Sequence, residues 1–311
     1  MSFTKAVKDE CSRIPQKDPQ ILLAELAAVV RLNGMLYMQS FTDPRIRFTT
    51  SNFSVARRIF FLVKEIAGIE PVLSTVQSPS RKKKSLQISL EDAEHTAILL
   101  QAVGMVHANG QMTDQIPSKL VWGPRKSRAF LRGAFLVSGY IAAPEKAAHL
   151  EIEVSQPDLA RVLVQLMKKF DIEAKIYERK EAGVYLKDGN QIAAFLRVIE
   201  AHQSLLHFED ERAMKEMRNQ INRRINFETA NLDKTVDASM RQVALITELQ
   251  ARKGLEMLDP KLRELAQLRM KHPSATLKEL GEMSDPPVSK SSVNHRFRKL
   301  TQIAKEELGY E

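Results

Sequence analysis

The feature that most constrains this 311-residue chain is that its first two-thirds repeat. Ser51-Asn52-Phe53-Ser54-Val55-Ala56-Arg57-Arg58 returns 104 positions later as Ser155-Gln156-Pro157-Asp158-Leu159-Ala160-Arg161-Val162. Both copies read as a serine N-cap leading into an amphipathic helix. Upstream, the apolar run from Leu26 ends at Gly34, and 105 positions later the run from Leu131 ends at Gly139. Glycine there is expected to stop each helix in the left-handed conformation.

Two strand-like segments follow each glycine: Met35 to Gln39 and Arg45 to Thr50, then Tyr140 to Ala142 and His149 to Val154. Beyond the shared helix, Pro71 to Val76 pairs with Ser85 to Leu90 around the basic run Arg81-Lys82-Lys83-Lys84. Glu173 to Arg179 and Val184 to Lys187 are the counterparts. Closing helices begin at Ser89 and Asp188 as caps. The order αββαββα, twice, predicts an α+β fold with a pseudo-two-fold axis. Ala24, Ala27 and Ala28 in one first helix, and Gly133, Ala134 and Ser138 in the other, would let those helices pack closely at its centre.

After Phe208 the strand signals stop. The expected division is 1–105 and 106–207 for the two copies, 208–232 for a bridging helix and linker ending in an Asn-rich tail, and 233–311 for an all-α module. Helices are expected over 233–254, closed by Gly254, and from Pro260 to before Pro273, with His272 at the C-terminal end. With 43% hydrophobic residues there is apolar material for a core in each part.

The segment from Ser274 carries the most specific pattern. Thr276-Leu277-Lys278-Glu279 is a capping box opening a short helix in which Leu277 and Leu280 are apolar and Gly281 ends the pattern. Ser284-Asp285-Pro286-Pro287 breaks the chain, and Ser289 caps a second helix. Its residues Val293, Phe297, Leu300 and Ala304 repeat at one face. The other face displays Lys290, Ser291, Asn294, His295 and Arg298, with Ser292, Arg296 and Lys299 beside them and no acid between Asp285 and Glu306. This is the layout of a helix-turn-helix, with a second helix whose first residues reach base edges. Asn and Arg suit bidentate base contacts; Lys, Ser and Thr276 suit phosphates.

Charge supports a polyanionic partner. Lys and Arg number 47 against 38 Asp and Glu, a net charge of +9. Up to Phe208 there are 28 basic and 21 acidic residues, and after it 19 and 17, so no single tail holds the excess. Two stretches lack acids altogether: Arg45, Arg47, Arg57, Arg58 and Lys64 lie between Asp43 and Glu65, and Lys119, Arg125, Lys126, Arg128 and Arg132 between Asp114 and Glu145. Each is +5 without compensation. Arg45 and Arg47 would share one face of a strand, and with Arg125, Lys126 and Arg128 they make a secondary basic surface.

Cys11, the single cysteine, excludes an intramolecular disulfide and a multi-thiolate metal site, and reads as an ordinary thiol. The histidines, His202 and His207 included, show no metal spacing. No run approaches the ~18 apolar residues of a membrane span, and the first residues lack a signal-peptide core. A cytoplasmic, nucleoid-associated protein is expected.

The duplicated half resembles the LAGLIDADG homing endonucleases in repeat order and small-residue helices. The resemblance implies two motif helices packed at a pseudo-two-fold axis above a DNA-gripping pair of sheets. In those nucleases an acidic residue before each motif glycine holds divalent ions. Here the positions are Asn33 and Ser138, whose bland reading is helix capping. The nearest spare carboxylate is Asp43. No catalytic residue, metal or cofactor is expected.

The pairing of a degenerate LAGLIDADG-like domain with a helix-turn-helix, carried by ELAAVVRLNGML from Glu25, FLRGAFLVSGY from Phe130, and LKELGE with VSKSSVNHRFRKL from Leu277, resembles the WhiA family of Gram-positive bacteria. The resemblance implies a DNA-binding regulator of cell division, chromosome segregation and sporulation genes. Double-stranded DNA is the expected partner, with a second regulator or division proteins beside it, and the internal pseudo-dimer suits a monomer. Two other readings stay open: a divalent-dependent endonuclease, and an interaction scaffold with weak DNA binding.

Overall fold

A computed structural model describes residues 2–38, 43–77, 84–107, 109–178 and 182–309. Arg81, Lys82 and Lys83 of the basic run, with Gln39 and Arg179, lie outside the described residues. The chain divides into two compact units, Met1–Lys215 and Glu216–Glu311.

The first unit opens with helix α1 (Phe3–Ser12) and then runs α2 (Pro19–Asn33), β1 (Met35–Met38), β2 (Pro44–Thr50), α3 (Phe53–Ala67), β3 (Val72–Gln77), β4 (Lys84–Leu90) and α4 (Ala93–Ala102). After the short α5 (Ser118–Val121) the order returns as α6 (Pro124–Ser138), β5 (Gly139–Ile141), β6 (Leu150–Val154), α7 (Pro157–Lys168), β7 (Lys175–Glu178), β8 (Ala182–Leu186) and α8 (Gly189–Val198). The two sheets are antiparallel, with orders β1-β2-β4-β3 and β5-β6-β8-β7. The duplication is therefore real at the level of strand order as well as element order.

The two motif helices α2 and α6 run side by side in the same direction. Asp18 meets Arg125, Ala24 clusters with Ala129, and Glu25 meets Arg132, so contacts advance together along both. Small residues permit this approach: a methyl at Gly133 would strike the Glu25 carbonyl oxygen and stand 3.2 Å from Ala28 Cβ. Both copies share a single hydrophobic core.

Several local expectations change. Gly34 and Gly139 are extended, at φ −71° and −75°, rather than left-handed. Glycine is needed there for room, since a Cβ would collide with the carbonyl oxygen of Val30 or Phe135 in the preceding turn. The shared helix is capped one residue later than expected: Asn52 caps α3, accepting from the Ser54 and Val55 amides, while Gln156 before α7 makes no side-chain cap. Asp92, not Ser89, caps α4, because Ser89 is still in β4. Asp188 caps α8 as expected.

Helix α9 (His202–Lys253) begins in the first unit and ends in the second. The expected linker and the helix after it are thus one helix of 52 residues. Its Asn-rich stretch contains no Pro or Gly to break it, and Gly254 at φ +77° marks its end. The second unit continues with α10 (Pro260–Lys271), α11 (Leu277–Met283) and α12 (Lys290–Leu308) around its own core of Ile246, Leu249, Leu265, Leu280, Val293, Phe297 and Leu300. Gly281 lies within α11, buried, where a methyl would collide with the Val288 carbonyl oxygen.

Candidate nucleic-acid interface

Helices α11 and α12 pack as the sequence predicts. The Thr276 hydroxyl accepts from the Glu279 amide at 3.3 Å and the Glu279 carboxylate accepts from the Thr276 amide at 2.6 Å, completing the capping box. Those amide and hydroxyl bonds at Thr276 hold the Glu279 carboxyl below its ordinary value. Ser289 caps α12, accepting from Ser292 N at 3.3 Å and sharing a 2.8 Å hydrogen bond with the Ser291 hydroxyl. Val293, Phe297, Leu300 and Ala304 are buried, which fixes the rotation of α12 about its axis.

That rotation brings Lys290, Ser291, Asn294, His295 and Arg298 together on the exposed side. Among the described residues, the side chains of Lys290, Asn294, His295 and Arg298 make no hydrogen bond or ion pair within the chain. Their donors are free for an external ligand. The flanking candidates are partly engaged: Ser292 and Arg296 are half-buried, Lys278 stands 3.7 Å from Glu282, and Lys299 3.5 Å from Asp259. Asp259 itself caps α10 through the Leu262 amide, which with Lys299 holds its carboxyl low.

Sequence reasoning missed the residue that braces this module. Arg269 is buried and donates to Gln242 Oε1 at 3.0 Å and to the Pro273 and Ala275 carbonyls, with its guanidinium 5.3 Å from the Phe297 ring centre. It ties α9, the approach to α11 and α12 together. Burial without a carboxylate partner lowers its pKa.

In the first unit the acid-free stretches are not bare charge. Glu25 is fully buried, and its Oε1 and Oε2 accept from Arg58 Nε at 2.7 Å and Nη2 at 2.9 Å; Oε2 also accepts from Arg132 Nη2 at 2.8 Å. Arg132 reaches Glu200 at 2.6 Å. Burial alone would raise the Glu25 carboxyl, but Arg132 and Arg58 more than reverse it, and it sits below its ordinary value. Arg58 and Arg132, counted in the sequence as uncompensated charge, are interior counter-ions of Glu25, Arg58 from within the first copy and Arg132 from across the repeat interface.

The secondary basic surface divides in two. Arg45 and Arg47 share the outer face of β2, with Ile46 and Phe48 turned into the core. Arg45 lies between Asp43 at 3.2 Å and Glu91 at 3.3 Å, and hydrogen bonding to Asp43 before Glu91 raises its pKa. Arg47 stacks 4.0 Å from the centre of the Tyr37 ring, whose hydroxyl donates to Glu91 at 2.7 Å. Arg125 and Arg128 are exposed and Lys126 half-buried, in the first two turns of α6, about 15–20 Å along that helix from its C-terminal end at 1.5 Å per residue. The five lie on two different elements, β2 and α6.

The positions at which the nuclease resemblance would place metal-binding acids hold no charge. Asn33 bonds the Thr49 main chain in both directions at 3.2 Å, tying α2 to β2 rather than capping its own helix. Ser138 is half-buried. Asp43 is spent on Arg45. A neutral amide already bonded to backbone and a lone hydroxyl do not fit a hard divalent ion. Among the described residues no three His, Cys, Asp or Glu side chains are grouped to hold a metal, and no helix is long and apolar enough to cross a membrane.

Three family models match the chain: the WhiA N-terminal LAGLIDADG-like domain over 20–106, the WhiA LAGLIDADG-like domain over 127–218, and the WhiA C-terminal HTH domain over 221–304. A relative from Heliobacterium modesticaldum, named probable cell division protein WhiA, is 42% identical over 306 residues, covering 98% of this chain and 96% of its own. Another of the same name from Alkaliphilus metalliredigens is 40% identical over 314 residues, covering 99% of each. Among solved structures, full-length DUF199/WhiA from Thermatoga maritima matches with a TM-score of 0.59 at 24% identity, covering 98% of this chain and 99% of that one. At that identity the likeness shows the fold.

Proposed function

The chain belongs to the WhiA family, and from that premise we propose that it is a non-catalytic protein of cell division that binds double-stranded DNA through α12. The supporting observation is the cluster Lys290, Ser291, Asn294, His295 and Arg298, exposed on a helix whose opposite face is locked into the core. Thr276, Lys278, Ser289, Ser292, Arg296 and Lys299 flank it as phosphate contacts. On this reading the protein acts as a transcription factor in division and chromosome segregation, within the cytoplasm and on the nucleoid, alongside a second regulator or division proteins. The functional division is 1–105 and 106–207 for the two degenerate copies, 208–232 for a bridge, and 233–311 for the DNA-binding module.

Arg298→Ala and Asn294→Ala should each weaken binding to the preferred site by about 1–3 kcal/mol and relax preference at the base contacted. Genome-wide crosslinking supplies that site, and titration at fixed salt measures the loss. Unchanged preference in both variants removes α12 from base reading. Supercoiled plasmid incubated with the protein and Mg²⁺ or Mn²⁺ should stay intact, and nicking that disappears on Asp43→Asn would overturn the non-catalytic reading.

A further inference from the structure

Every residue of α9 from Glu216 to Asp237 is exposed, within the second unit. A solitary helix of this length gains nothing from tertiary packing, which is what normally stabilises helices in water. Yet it carries an apolar stripe: Met217, Ile221, Ile225, Leu232, Val236 and Met240, at spacings of 4, 4, 7, 4 and 4. Ile225 is 53% exposed, Leu232 63% and Met240 66%. Ile221 and Leu232, like Ile225 and Val236, stand 11 residues apart, a period that keeps a stripe on one side of a nearly straight helix. At its far end Val236 and Met240 line an apolar groove of about 480 Å³ with Pro273.

The stripe reads the same from both ends. Turned end to end about a point between Glu228 and Thr229, Met217 falls on Met240, Ile221 on Val236 and Ile225 on Leu232. Charge follows the same symmetry. From Glu216 to Asn226 the helix holds Arg218, Arg223 and Arg224 against Glu216; from Phe227 to Asp237 it holds Glu228, Asp233 and Asp237 against Lys234. The reversed overlay places Arg224 on Asp233 and Glu216 on Arg241, with Arg223 on Lys234 the one like-charge pair between Glu216 and Arg241, whereas a parallel pairing would set like halves against each other. We propose that this face of α9 docks against the same face of a second copy of the chain, antiparallel, with the two-fold axis between Glu228 and Thr229. The internal pseudo-dimer, from which a monomer was expected, leaves this stripe uncovered.

Sedimentation equilibrium of the full chain should give twice the 35.3 kDa chain mass as concentration rises. Ile225→Asp combined with Leu232→Asp should give one-chain mass with unchanged far-UV circular dichroism, since neither side chain supports a core. Arg224→Asp should weaken association about tenfold, two symmetry-related charge pairs being lost at once, and adding Asp233→Arg should restore it. Under oxidation, a mixture of Ile225→Cys and Leu232→Cys chains should form a disulfide between the two variants and neither should form one alone. Cys11, buried, does not compete. One-chain mass at every concentration, or crosslinking of Ile225→Cys with itself, overturns the proposal.

Discussion

The sheet of the first copy turns Arg45, Arg47 and Thr49 away from the core, whereas the positions 104 residues later in the second copy carry His149, Glu151 and Glu153. The register confirms the match: Met35 pairs with Arg47 as Tyr140 pairs with Glu151. Inward positions agree, Ile46 and Phe48 against Leu150 and Ile152. The duplication therefore constrains what fills the core and leaves each outer face free to diverge. A duplex held symmetrically by both sheets would need two matching cationic faces, and on the second His149 pairs with Glu151 at 3.1 Å, the cations there being Lys175 of β7 and Lys187 just past β8, both beside Tyr185. On this comparison any backbone contact made by β2 has no counterpart on β6 and is in that sense one-sided.

The motif helices diverge in the same way. Glu25 of the first copy matches Phe130 of the second, and Arg132 matches Ala27, so the buried charges tie the copies together without obeying their symmetry. Glu25→Gln should break the comparison hardest. It leaves buried Arg58 without a carboxylate and Arg132 with Glu200 alone, and should cost about 3–5 kcal/mol in urea unfolding. Its pH dependence follows in sign. The folded carboxyl lies below its ordinary 4.5, so the stability it supplies is complete above that value and is lost as pH falls through the lower, folded one. Wild type should lose stability in acid more steeply than Glu25→Gln.

Asn33→Ser makes the first copy like the second at the residue before the helix-ending glycine. With two hydrogen bonds to Thr49 lost, about 0.5–1.5 kcal/mol per bond at most should disappear, measurable by thermal unfolding, while Ser138→Asn should gain nothing. The smallest effect is expected at the sheets. Arg47→Ala should lower the salt dependence of DNA affinity by about one phosphate contact, and Glu151→Ala should leave it unchanged. A greater response at Glu151 would reverse the one-sided assignment.

Much of this was legible in the sequence, because repeated order, capping boxes and apolar spacing are local signals. Thr276, Ser289 and the buried face of α12 followed from spacing alone. Arg58 and Arg132 did not, since a window free of acids says nothing about Glu25 waiting on a neighbouring helix. Continuity of α9 was hidden by polar composition, which a helix tolerates when no breaker interrupts it. The part played by α1 was invisible for another reason: its partners lie far along the chain.

Helix α1 buries Phe3, Val7 and Cys11 in the shared core, and the Cys11 thiol is pushed well above its ordinary range by that burial. Thr4 bonds the main chain of Ile141, Cys11 faces the Ile199 carbonyl, and Glu10 accepts from the Gln203 and Ser204 amides at the start of α9. These separations of 137 to 194 residues set an order of events during synthesis. Helix α1 is made before these partners and cannot complete its contacts until the second copy and the first turn of α9 have been synthesised. Helix α1 is thus among the last parts of this unit to take its final place.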